Sequence, residues 1–206
     1  MADVVELARD TVADGRPFTA PAHTAHETAV MQEMLERLRA VARGWLESPP
    51  AGSDFLVLEP DAAGLRTWIR VPDRTALLDA NELTAVGFFG RSRTDVDQTV
   101  IHELEAEVVD TLERVPGVLS YFDLELPAGG YGNLILCRDS DVPVRWRDHE
   151  LHRRAVELTP RHYHSVRLHT GVVRSPLLGH AELDVRRTRY YDFDCEPAWL
   201  AVRQLP

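Results

Sequence analysis

The chain has 206 residues and carries 33 acidic side chains against 23 basic ones, a formal net charge of −10. All the basic residues are arginine, so lysine Schiff-base and pyridoxal-phosphate chemistry are excluded, and positive charge in any site must come from arginine, histidine or a metal. So acidic a chain does not suit nucleic-acid binding, no apolar run reaches the roughly 20 residues of a membrane span, and 44% apolar residues suit a globular core.

The arginine-only habit, with 13 prolines and 12 glycines, reads as the codon usage of a high-GC bacterium. Residues 1–10 lack a basic segment followed by an apolar stretch, and Cys137 and Cys195 stand apart, so a reduced cytoplasmic setting is expected.

In chain order, residues 1–23 show no periodicity and read as an arm, mobile or draped. A helix is expected over 24–46, where Met31, Met34, Leu35, Leu38, Val41 and Trp45 recur at spacings of three and four. Such a stripe fits core or subunit packing. Residues 55–59 and 65–71 suggest a hairpin, which completes an N-terminal unit of 24–82.

A more regular pattern fills 83–206. Residues 83–93 read as a strand. A helix over 95–115 turns Val96, Val100, Ile101, Leu104, Val108 and Leu112 inward and leaves Glu103, Glu105, Glu107 and Asp110 mostly outside. Strand 118–126 alternates Phe122, Leu124 and Leu126 against Asp123 and Glu125, as a half-buried strand does. Gly129-Gly130-Tyr131-Gly132 joins two strands and is a hairpin turn, without the helix a phosphate-binding loop needs. Strand 131–138, a helix from 145 or 146 to 158 bounded by Pro160, and strands 161–173, 181–193 and 198–205 complete the chain.

Residues 83–173 thus read strand, helix, strand, strand, helix, strand, a ferredoxin-like order that makes the fold class α+β with an antiparallel sheet. This element order resembles the dimeric α+β barrel superfamily. The resemblance implies two such units pairing their sheets around a cavity, hence a homodimer that covers the sheet face left open by the helices. Its members include cofactor-independent monooxygenases, aromatic polyketide cyclases and haem proteins of the chlorite-dismutase kind. The expected function is therefore a small-molecule enzyme of bacterial metabolism, haem-dependent or cofactor-independent, of oxygenase or cyclase type. The alternative is a haem- or ligand-binding protein without catalysis.

Six of nine histidines fall between positions 149 and 180. His149 and His152 lie three apart on a predicted helix and are the expected cofactor ligands, one of them holding haem iron. No zinc signature is present, and any metal set is left undefined. His164 and His169 are expected to handle protons, with Arg167 stabilising an enolate or carboxylate oxygen. Were Arg167 turned inward, it would need a carboxylate or an anionic ligand. Tyr121 and Tyr131 read as cross-strand packing, Cys137 as an inert core thiol, and Arg186, Arg187 and Arg189 as surface arginines paired with nearby aspartates. Asp192 and Asp194 receive no chemistry.

Overall fold

The computed structural model describes residues 4–48, 55–58, 66–126 and 130–206. Among them are nine strands and five α-helices, an α+β arrangement. The strands are β1 (Val4–Glu6), β2 (Phe55–Leu58), β3 (Thr67–Arg70), β4 (Leu83–Ser92), β5 (Val118–Leu126), β6 (Gly130–Cys137), β7 (Tyr163–Val173), β8 (Leu183–Asp192) and β9 (Trp199–Gln204). The helices are α1 (Pro21–Glu47), α2 (Arg74–Asp79), α3 (Thr99–Asp110), α4 (Val142–Arg147) and α5 (Glu150–His162).

All nine strands join one sheet in the order β1-β9-β8-β7-β4-β6-β5-β3-β2. Neighbours are antiparallel apart from β1, which runs parallel to β9. The sheet is therefore larger than the four-stranded core expected from the sequence, because both the N-terminal hairpin and the C-terminal strands extend it. Residues 4–6 are draped as an edge strand. The loop expected between β2 and β3 lies outside the described residues, as do residues 127–129.

One face of the sheet is covered by α1. Met31, Met34, Leu35, Leu38 and Ala42 pack on Ile69, Leu83, Phe89, Phe122, Leu134 and Val185. A Cβ at Gly87 would stand 2.5 Å from the Met31 sulfur, so glycine there lets the helix lie close to the sheet. Burying five such side chains contributes about 1.5–3 kcal/mol for each large one, which is what fixes α1. The face expected to be covered by a second unit or a second subunit is filled by the chain's own helix α1. The sequence had the right apolar stripe but could not tell an internal partner from an external one.

The opposite face is covered by α3, α4 and α5, with Val108, Val109, Leu112, Ile135, Cys137, Val142 and Trp146 in one cluster. The expected inward residues Ile101, Leu104, Val108 and Leu112 are buried, Val109 joins them, and Val100 is exposed. It begins at Thr99, whose backbone N–H donates to the Asp97 carboxylate at 2.9 Å. Pro160 does not end α5, which continues to His162. His162 therefore belongs to the helix and not, as expected, to the following strand.

Candidate active site

Glu105 borders the buried face of α3 and reaches the sheet. Tyr121 donates to Glu105 Oε1 at 2.9 Å, and Tyr131 donates to Oε2 at 2.7 Å. Asn133 donates from Nδ2 to the Tyr121 oxygen at 3.0 Å and accepts at Oδ1 from the Phe88 N–H at 3.2 Å. Asp123 lies between Trp68 on β3 and Asn133 on β6, its cross-strand neighbours. It is 2% exposed, and its Oδ1 has no hydrogen-bond partner among the described residues. Trp68 stacks on Tyr121 with ring centroids 5.3 Å apart, and Trp146 meets the same ring edge-on at 6.1 Å.

The polar side of β5 is therefore buried, against the half-buried strand expected. This has an electrostatic consequence. Burial, followed by the negative charge of Glu105, raises the Asp123 pKa well above the usual carboxylate range. Burial also raises Glu105, and the bonds from Tyr131 and Tyr121 offset part of that rise. Both phenols are pushed up by burial and by the two carboxyls, and so stay protonated donors. The two carboxyls, with phenol donors on Glu105 and no arginine among their hydrogen-bond or ion-pair partners in the described residues, thus both favour the protonated form more than an exposed carboxyl does.

Glu105 and Asp123 are the residues sequence reasoning missed. A usable signal was present. Tyr121, Asp123, Tyr131 and Asn133 all occupy odd positions of one hairpin and so share a face, and an aspartate mid-strand among aromatics is costly unless used.

The histidines and Arg167 singled out from the sequence lie elsewhere. Arg167 and His169 are on the α1 face. Arg167 Nε donates to Glu27 Oε1 at 2.6 Å, His169 Nε2 lies 2.8 Å from Glu27 Oε2, and His169 Nδ1 lies 2.9 Å from Thr188 Oγ1. His169 is 0% exposed with both ring nitrogens engaged, so these two sit in a closed, satisfied core cluster and not on an open sheet face. The carboxylate that an inward Arg167 requires is Glu27.

His164 is at the opposite end of β7. The pairing of β4 with β7 shifts between Arg91 and Ser92, leaving His164 as the extra residue of a bulge. Its Nδ1 lies 2.9 Å from Asp194 Oδ1, and Arg93 Nη2 lies 2.8 Å from the same oxygen. Arg93 and Asp194 line a cleft of about 670 Å³ with Phe193, Cys195 and Pro197. Burial opposes ionisation of Asp194, but the His164 bond and the charges of His164 and Arg93 together hold its pKa below the usual value.

His149 and His152 lie at the start of α5. His149 precedes α5 as its N-terminal cap residue, and the His152 ring packs on Trp146 at 5.1 Å. The Nδ1 atoms of both are buried without a partner, and burial lowers the His152 pKa. Neither residue lines the cleft beside His164. Among the described residues, no three histidine, cysteine, aspartate or glutamate side chains converge as a metal site. Among the described residues, nothing in this arrangement supports haem ligation.

Fold and site together define an α+β protein with a buried acid pair between one helix and the sheet. No protein-family model matches the chain, and no curated protein matches it. Among solved structures, it is similar to SnoaB, a cofactor-independent oxygenase from Streptomyces nogalater. The identity is 17% and the TM-score 0.35, over 45% of this chain and 91% of that one. Among the described residues, no helix is long and apolar enough to cross a membrane.

Proposed function

We propose that this chain is a small-molecule enzyme of oxygenase or cyclase type that works by proton transfer at Glu105 and Asp123, without haem. The observation that carries the reading is Asp123 Oδ1, a buried carboxyl oxygen with no partner among the described residues, beside a carboxyl that receives two phenol hydrogen bonds. Such a group costs stability and is retained where it is used. Glu105 takes a proton from an acidic C–H or O–H of the substrate, and Asp123 returns one to the developing alkoxide or enolate. Tyr121 and Tyr131 hold Glu105 in place, and the packed Trp68, Tyr121 and Trp146 rings give the acid pair an apolar surround. In the cyclase form, the carbanion attacks a carbonyl of the same molecule. In the oxygenase form, it reduces molecular oxygen directly.

The reading includes a ferredoxin-like unit of β4, α3, β5, β6, α5 and β7. It is supported by the order β7-β4-β6-β5 of its strands in the sheet. A panel of electron-rich phenols and 1,3-dicarbonyl compounds, followed by oxygen uptake and loss of ultraviolet absorbance, tests the proposal. Turnover by colourless, metal-free protein that Asp123→Asn and Glu105→Gln abolish supports it. Turnover that survives both substitutions contradicts it.

A second reading rests on His164. With Asp194 accepting from Nδ1, the other ring nitrogen is left for a proton near the cleft, as the sequence suggested. Loss of turnover in His164→Ala, with Asp123→Asn still active, would move the site there.

A further inference from the structure

Within the arginine run on β8, Arg186 is exposed and paired with Asp184 as the sequence led one to expect, whereas Arg187 departs from that expectation. Between Thr170 and Gly171 the β7–β8 pairing shifts: Thr170 faces Arg187, Gly171 faces Val185, and Arg186 is left as the bulge residue. A bulge sets two successive side chains on one side of a strand. Gly171 makes room for it, since a Cβ there would stand 2.4 Å from the Asp184 carbonyl oxygen and 2.9 Å from the Val185 Cα. Both clashes are with backbone, so no side-chain movement relieves them.

Arg186 and Arg187 line a second cleft, of about 250 Å³, with Thr84, Ser140, Thr170 and Gln204 among its other walls. Among the described residues, no acidic side chain lines it. Asp184, the carboxylate nearest the bulge, is occupied by Arg174 Nη2 at 3.0 Å and Arg186 Nε at 3.2 Å. Arg187 has no salt bridge or side-chain hydrogen bond among the described residues, and its Nε is buried without a partner. Burial, then the charge of Arg189, lowers its pKa, as expected of a cation without a counter-ion. In a chain of net charge −10, ample acid was on hand to pair it.

We infer that this cleft is a binding site for a phosphate-sized oxyanion, held by the guanidinium groups of Arg186 and Arg187 and by the hydroxyls of Thr84, Ser140 and Thr170. Arg187 brings an unanswered positive charge, Arg186 keeps its terminal nitrogens beside the Nε that Asp184 holds, and planar forks suit phosphoryl oxygens. Three hydroxyls and the Gln204 amide supply neutral donors for the remaining oxygens. The volume is below the roughly 300–1,000 Å³ of pockets that enclose drug-sized ligands, so the site takes a phosphate ion or the phosphoryl end of an ester. None of its residues belongs to the Glu105–Asp123 cluster, and the two sites stand or fall separately.

Calorimetric titration of the full chain at low ionic strength with inorganic phosphate, glycerol phosphate and acetate is the test. Saturable phosphate binding, at least tenfold weaker for acetate and at least tenfold weaker in Arg187→Gln, is the expected result. Tighter binding of glycerol phosphate than of phosphate would assign the site to an ester, and the reverse to the free ion. Arg187 makes no side-chain bond in the fold, so the variant should keep the wild-type melting temperature. Should it not fold, the nitrogen-15 resonance of Arg187 Nε in the wild type must shift with added phosphate. Absence of saturable phosphate binding, binding unchanged in Arg187→Gln, or an unmoved Arg187 Nε resonance would overturn the inference.

Discussion

Two buried acid centres lie on opposite faces of the same sheet, and they are built on opposite terms. Glu27, on the α1 side, has Arg167 at one oxygen and His169 at the other, and His169 passes its second nitrogen to Thr188. Every charge there is answered, and the cluster ties α1 to β7 and β8. Glu105 and Asp123, on the α3 side, have phenols and an amide for company, and one Asp123 oxygen has no partner among the described residues. The first centre is arranged for stability. The second tolerates an uncompensated acid, which is the condition a general acid–base pair requires.

Breaking the stable centre should have the largest effect. Glu27→Ala strands a guanidinium and an imidazole under α1, and should cost about 3–5 kcal/mol in urea unfolding. The comparison sharpens with activity: Glu105→Gln should leave the fold intact while reducing turnover by about 10²–10⁴-fold. The pH dependence of stability is a third handle. Asp123 and Glu105 have folded pKa values above their unfolded ones, so the folded state holds the extra protons. Their contribution is complete below about pH 4 and is lost as pH rises through the folded values. Unfolding free energy should therefore decline above about pH 4, and Asp123→Asn should flatten the decline. The smallest effect concerns the thiols. Burial pushes Cys137 up to about 12, whereas Cys195 is half-buried at the rim of the His164 cleft. A thiol reagent at pH 8 should label Cys195 and spare Cys137 until the protein unfolds.

Much of the architecture was legible in the sequence because periodicity records which side chains face an apolar neighbour. The stripe from Met31 to Trp45 and the alternation around Phe122 both reappear as core. What periodicity does not record is the identity of the neighbour, so the sheet face filled by α1 looked open. The candidate site was less legible for a related reason. Glu105 and Asp123 are polar, and a pattern reading sends polar residues outward, yet α3 presents Val109 and Glu105 to the sheet and leaves Val100 in solvent. The histidine concentration, conspicuous in composition, is dispersed by the fold: His164 to a bulge at one end of β7, His169 beneath α1, and His149 and His152 around the start of α5. Arg167 was read correctly in its requirement for a carboxylate, but its partner lies 140 positions away, beyond any local spacing rule.

The central claim is that the α3-side acids serve the reaction and not the fold, and one unfolding experiment addresses it. Asp123→Asn, compared with wild type by urea denaturation at pH 7, removes a buried acid and keeps its shape. The account predicts an unfolding free energy equal to or above that of wild type, because no cation loses a partner. A loss of about 2 kcal/mol or more would contradict it and place Asp123 with Glu27 among the residues that hold the sheet to its helices.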